Sequence, residues 1–136
     1  MGESKAEVKR IVVDGLGRLP QFCHATVVGQ WIYVSGTLGT MPGTMDLVAG
    51  GTGPETSQTL ANIATILDAC GASLRDIVKV SVFIDDMSTF ADMNSAYSEV
   101  MGSDPPARIT VGRAKLALGA AVEIECVAYR SSSAGE

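Results

Sequence analysis

Pro105-Pro106-Ala107-Arg108-Ile109-Thr110-Val111, followed after a Leu-Ala-Leu-Gly-Ala turn by Ala121-Val122-Glu123-Ile124-Glu125-Cys126-Val127-Ala128-Tyr129, is the stretch on which the reading of this chain depends. Each proline fixes its own φ and biases the residue before it towards extended geometry. Arg108 therefore enters on a pre-set backbone and begins a β-branched run that reads as a strand. The Leu-rich turn then leads into a second strand, Ala121 to Tyr129. Alternation along it points Glu123 and Glu125 to one face and Val122, Ile124 and Cys126 to the other.

On this reading Arg108 and Glu123 stand on adjacent strands, and two interpretations are open. One is a surface cross-strand ion pair, which contributes little. The other is an arginine that grips a substrate carboxylate, beside a carboxylate that orients a water or handles a proton. Spacing alone does not separate them.

Outward from this stretch, the chain reads as strands, helix, strand, helix, strands. Val8 to Val13 is a first strand, closed by Asp14-Gly15, and Leu16 to Gln21 is a loop. Ala25 to Val28 and Trp31 to Ser35 form a hairpin across Gly29-Gln30. Gly36 to Gly53 is rich in Gly, Thr and Met, with Met45 to Val48 as a short strand. It lacks the Gly-Lys-Ser/Thr ending of a phosphate loop, so it receives no nucleotide role. Pro54 at the first helical position and Gly71 past the end frame a helix whose buried stripe is Leu60, Ile63, Ala64 and Leu67. Ile77 to Ile84 is a β-branched strand. Ser88 caps a second helix to Met101, with Phe90, Met93, Tyr97 and Val100 on one face as core residues. The order predicts an α/β (α+β) sandwich, a mixed sheet with two helices on one face.

At 136 residues the chain suits one domain over 1–136, with about 1–7 and 131–136 as flexible ends, and it can hold a core without disulfides or metal. No apolar run reaches membrane-spanning length, and the charged start, Met-Gly-Glu-Ser-Lys-Ala-Glu, lacks the apolar core of a signal peptide. A cytoplasmic protein without membrane association is the expectation. The three cysteines, Cys23, Cys70 and Cys126, are widely spaced and His24 is the single histidine, so neither a disulfide framework nor a metal site is expected. The formal charge is −5 with basic residues scattered, a balance that argues against a nucleic-acid partner.

Pro-Ala-Arg before a strand, a Leu-rich turn ending in Gly, and Val-Glu-Ile-Glu together resemble the signature of the RidA family, also called YjgF or L-PSP proteins. Ile32-Tyr33-Val34-Ser35-Gly36, Gly50-Gly51 ahead of the first helix, and the strand Ile77 to Ile84 ending in Asp-Asp extend the resemblance over nearly the whole chain. It implies a chorismate-mutase-like fold assembled as a homotrimer, with sites in the clefts between subunits. It also implies hydrolytic deamination of 2-imino and 2-enamino acids to 2-keto acids and ammonia, without metal or cofactor. Arg108 falls on the family's substrate-binding arginine and Glu123 on its glutamate near the reacting atom. Ser35 matches a serine often found at the site.

Two positions depart from the family pattern. Phe22 stands where a tyrosine is common, keeping a ring to wall the pocket but losing the hydroxyl. Thr110 stands where many members place a cysteine. His24 lies near the same cleft by analogy, either as a structural hydrogen-bonder or as a proton carrier in place of the lost tyrosine. Cys23 is read as a small buried residue rather than a reactive thiol. These departures leave open an alternative, a non-catalytic protein that binds small carboxylates on the same fold. A third reading is the ribonuclease label some family members carry, against which charge and aromatic content argue.

Overall fold

The computed structural model describes residues 7–131. The flexible ends expected from sequence fall outside these residues, except for Glu7 and Ser131, which belong to no helix or strand. Six strands form one mixed sheet: β1 Val8–Ile11, β2 Ala25–Val28, β3 Trp31–Leu38, β4 Ile77–Ile84, β5 Ala107–Val111 and β6 Val122–Tyr129. Their spatial order is β1-β2-β3-β6-β4-β5. Every pairing is antiparallel except β4 with β5, which is parallel. A parallel neighbour needs a crossover, and α2, Phe90–Met101, supplies it. The long helix α1, Thr52–Ala69, bridges β3 and β4.

Both helices cover one face of the sheet. Leu60, Ile63, Ile66 and Leu67 of α1 and Met93, Tyr97 and Met101 of α2 are buried with Ile32, Val34, Val80, Val82, Val122 and Ile124. The strand residues in that set alternate with exposed or half-buried ones, the period-2 pattern of a sheet covered on one side. The opposite face exposes Trp31, Tyr33, Val78, Ile109, Val111 and Tyr129, each more than two-fifths accessible. Trp31 and Tyr129 meet edge to face there, with ring centroids 4.9 Å apart.

Several boundaries differ from the sequence reading, each for a local reason. Helix α1 starts at Thr52, so Pro54 is its third residue rather than its first; the first helical donors have no partner within the helix, so a proline is tolerated there. Its buried stripe runs through Ile66, while Ala64 is only half-buried. Ser88 is not the cap of the second helix. Asp86 Oδ1 accepts from the Ser88 N–H at 2.9 Å and starts a short 3-10 turn, Met87–Thr89, which passes into α2. Strand β1 stops at Ile11, not Val13, because the Val13 N–H donates to the His24 imidazole instead of to a strand. The stretch Met45 to Val48 contributes only a single antiparallel bridge, Thr40 with Leu47. Strand β3 continues past Ser35 to Leu38 through an irregularity between Val34 and Thr37. Among the described residues, no helix is long and apolar enough to cross a membrane.

Candidate active site

The two residues singled out by sequence lie in different places. Strand β5 pairs with β4, and β4 pairs with β6, so one strand separates Arg108 from Glu123. The expectation of adjacent strands is therefore incorrect: the connection between β5 and β6 crosses over β4 instead of closing a hairpin. The two side chains also point to opposite faces. Arg108 is in register with buried Val80 and shares its helix-covered face. Glu123 is in register with Phe83 and lies on the face away from Val122 and Ile124.

Glu123 lines a cleft of about 410 Å³ together with Phe22, His24, Ser35, Thr37, Asn62 and several apolar residues. The irregularity in β3 brings Gly36 against it. A methyl group at Gly36 would overlap the Glu123 carboxylate, so only glycine leaves that carboxylate its position. β-Bulges of this kind commonly re-aim side chains at functional sites. Burial, and secondarily the charge of Glu125, raise the Glu123 pKa above its ordinary value.

Most other polar side chains of the cleft are occupied. His24 is buried, its Nδ1 accepts from Val13 N–H at 2.9 Å, and its Nε2 lies 3.2 Å from the Gly17 carbonyl. Both contacts are satisfied by the neutral tautomer with the proton on Nε2. Ser35 Oγ donates to the Cys23 carbonyl at 2.7 Å, and Thr37 Oγ1 to the Ser35 carbonyl at 2.8 Å. Asn62 Nδ2 donates to the carbonyls of Leu38 and Thr40, and its Oδ1 accepts from Gln58. Glu123 takes no part in these bonds. Phe22 walls the cleft and is 41% exposed. Cys23 is half-buried, its thiol 3.3 Å from the Ala25 carbonyl.

Arg108 sits on a ledge formed by the edge strand β5 and α2. Its Cζ stands 4.7 Å from the centroid of the Tyr97 ring and 5.9 Å from that of Phe90, and Nη1 is 3.9 Å from the Met93 sulfur. These contacts hold the guanidinium on aromatic faces, worth about 0.5–2 kcal/mol per cation–π pair, and none of them is to a carboxylate. Thr110, two residues on, points to the same face. Its Oγ1 and the hydroxyl of Tyr97 are both buried without a hydrogen-bond partner among the described residues. Orphaned buried hydroxyls cost free energy, and native proteins keep few of them. Among the described residues, the ledge thus brings together a guanidinium with no carboxylate in contact and two hydroxyls with no hydrogen-bond partner. Burial raises the Tyr97 hydroxyl pKa, so it stays protonated and can donate.

Four residues escaped the sequence reading. The helical period marks Tyr97 only as core, which its burial supports, yet its ring also carries Arg108. Glu55, 6% exposed, accepts from the Ala121 N–H at 2.8 Å and so fixes the start of β6. Polar Thr56, Thr59 and Asn62, recurring along the same buried side of α1, were the available signal. Arg18 Nη1 donates to the carbonyls of Leu19 and Phe22, bracing the loop that presents Phe22. Leu118, at the cleft, has a left-handed backbone with φ 62°, and nothing in the sequence around it announced that.

Comparison with known proteins adds to this geometry. The family model described as Endoribonuclease L-PSP matches residues 16–130. A RutC family protein of Pyrococcus abyssi is 38% identical over 109 residues, covering 80% of this chain and 86% of that protein. A Bos taurus protein named 2-iminobutanoate/2-iminopropanoate deaminase is 38% identical over 109 residues, covering 80% of each. The crystal structure of RidA from an Antarctic Psychrobacter species superposes with a TM-score of 0.84 at 36% identity, over 90% of this chain and 99% of that one.

Proposed function

This chain belongs to the L-PSP family, the group that includes the RutC and RidA proteins, and from that premise we propose that it hydrolyses 2-imino acids and their 2-enamino tautomers to 2-keto acids and ammonia. The observation that carries the reading is the Glu123 carboxylate. It is half-buried in a cleft whose other hydrogen-bonding side chains are mostly occupied, and its pKa is raised. A carboxylate so placed takes a proton from water as the water oxygen bonds to C2 of the substrate, while the C=N electron pair moves to the nitrogen, which takes a proton from solvent. The resulting carbinolamine loses ammonia when Glu123 returns its proton to the nitrogen and the C–N bond breaks with its electron pair on nitrogen; the hydroxyl O–H pair becomes the C=O bond as that proton passes back to Glu123 and on to solvent, leaving the keto group. General acid–base catalysis of this kind contributes roughly 10²–10⁴-fold. The substrate is already prone to hydrolysis, so positioning and proton transfer suffice.

Arg108 supplies the carboxylate clamp, through a fork that matches the two carboxylate oxygens. Thr110 and Tyr97 offer hydroxyls beside it. Because Arg108 and Glu123 lie on opposite faces of one sheet, a single copy cannot present both to one small molecule. A symmetric homotrimer reconciles them, with Arg108 of one copy reaching the Glu123 cleft of the next. The exposed apolar face with Trp31, Tyr33, Ile109, Val111 and Tyr129 is of the kind subunits bury. Phe22 and Ser35 wall the site, and His24 holds its loop.

The test is keto-acid release from freshly generated 2-aminoacrylate with and without protein. Acceleration well above the spontaneous rate is expected. A rate equal to the protein-free control contradicts the reading and favours a carboxylate-binding protein without turnover.

A further inference from the structure

We infer that the Glu123 cleft selects imino acids with a branched or aromatic apolar side chain, larger than the methyl and ethyl groups of 2-iminopropanoate and 2-iminobutanoate. The inference rests on the deaminase reading and adds to it the class of side chain. Three observations carry it.

The first is the lining. Leu16, Leu38, Met45, Ile66, Phe22 and Leu118 all line the cleft. Ile66 is buried, Leu16 and Leu38 are half-buried, and Phe22 and Leu118 are 41% and 51% exposed. The apolar surface thus runs from the protein interior out to solvent.

The second is polar occupancy. His24 spends both ring nitrogens, Ser35 and Thr37 their hydroxyl protons, and Asn62 its amide on the protein itself. Apart from Glu123, which the chemistry needs, the Thr40 hydroxyl is the neutral side-chain group of the cleft not bonded to other described residues. The Arg18 guanidinium is the remaining charge, and its Nη1 already donates to two carbonyls of its own loop. Burying a polar side chain without partners is penalised, whereas an apolar one gains from leaving water.

The third is Leu118. It holds φ 62° and ψ 13° inside the 3-10 turn Ala117–Gly119. A leucine in the left-handed region is strained, and residues in such states gather at ligand-binding sites. An exposed apolar side chain held in that conformation at the cleft mouth is placed to cover a substrate side chain. At about 410 Å³ the cleft lies within the ordinary range of small-molecule pockets, about 300–1,000 Å³.

The experiment compares kcat/KM for 2-iminopropanoate, 2-imino-4-methylpentanoate and 2-iminosuccinate, each generated in place by an amino-acid oxidase and corrected for spontaneous hydrolysis. Each buried methylene is worth about fourfold, so the branched substrate should exceed 2-iminopropanoate by about tenfold or more, with the dicarboxylate poorest. Leu118→Gly should lower the branched-to-small ratio by at least about threefold without lowering Tm, since glycine accepts the left-handed backbone. A ratio at or below one, or a preference for 2-iminosuccinate, overturns the inference while leaving the deaminase reading intact. If no imine is hydrolysed, that reading fails by itself, and the side-chain preference is read from binding of the stable keto acids. Tighter binding of 4-methyl-2-oxopentanoate than of pyruvate then supports the preference, and equal or weaker binding overturns it.

Discussion

The Glu123 cleft and the Arg108 ledge are built to different degrees of completion. In the cleft, hydrogen bonds within the chain occupy almost every polar side chain, and a glycine at the β3 irregularity leaves room for the carboxylate. On the ledge, a guanidinium rests on aromatic rings with no carboxylate against it among the described residues, and two buried hydroxyls have no partner among them. The two regions lie on opposite faces of the same sheet, and the proposed sharing of one site between copies is the reading that joins them.

The largest effect expected to separate the two regions belongs to Glu123→Gln. It keeps the shape and most hydrogen-bonding capacity of the side chain but cannot accept a proton. Turnover should fall by roughly 10²–10⁴-fold while a small keto acid still binds, as measured by kinetics beside calorimetry. Loss of binding in step with turnover would move Glu123 from proton handling to substrate positioning.

Arg108→Ala comes next. Losing a sheltered charged hydrogen-bond pair costs about 2–5 kcal/mol, or roughly thirty- to several-thousand-fold in kcat/KM. Arg108→Lys should fail nearly as badly, because a point charge does not reproduce the bidentate fork or the stacking on Tyr97. A change below about threefold in kcat/KM would return Arg108 to the status of an ordinary surface charge.

The fold was largely legible in the sequence, and the site only in part. Alternation in Val122 to Cys126 assigned the two faces of β6 correctly, and the β-branched run Ile77 to Ile84 matches β4 residue for residue. Strand order was not legible. Nothing in the residues from Val111 to Val122 says that β4 will come between β5 and β6, since pairing of distant strands is settled by packing rather than by local pattern. Arg108 and Glu123 were visible as chemistry-bearing residues, but their opposite faces follow from register, which a two-residue period does not fix between strands. The role of Tyr97 was hidden because one side chain serves the core and the ledge together.

Tyr97→Phe and Thr110→Val sharpen the comparison with smaller effects. Each deletes a buried hydroxyl that the free chain leaves unsatisfied, so Tm should hold or rise slightly in the absence of ligand. If the hydroxyls serve a bound carboxylate, KM should rise by about two- to tenfold at nearly constant kcat, the worth of a neutral hydrogen bond. A fall in Tm with KM unchanged would make them structural instead.

The smallest effect is a pH dependence of stability confined to the cleft. Burial and Glu125 hold the folded-state pKa of Glu123 above its unfolded value. Its contribution to stability is therefore full in acid, below the unfolded pKa, and is lost as pH rises through the folded pKa. Glu123→Gln should be slightly more stable than the parent at neutral pH, with the gap closing as pH falls through the carboxylate range in thermal melts. A gap that widens in acid would mean that Glu123 is stabilised when ionised.

The sharing of the site between copies is tested most directly by mixing two inactive chains, Arg108→Ala and Glu123→Gln, in equal amounts under conditions that let subunits exchange. Each chain supplies the half that the other lacks. Random assortment around a closed ring pairs an intact Arg108 with an intact Glu123 at about one cleft in four, so 2-aminoacrylate hydrolysis should recover to about a quarter of the parent rate. If Arg108 and Glu123 act on a substrate within one chain, or not together at all, the mixture will remain as inactive as its components.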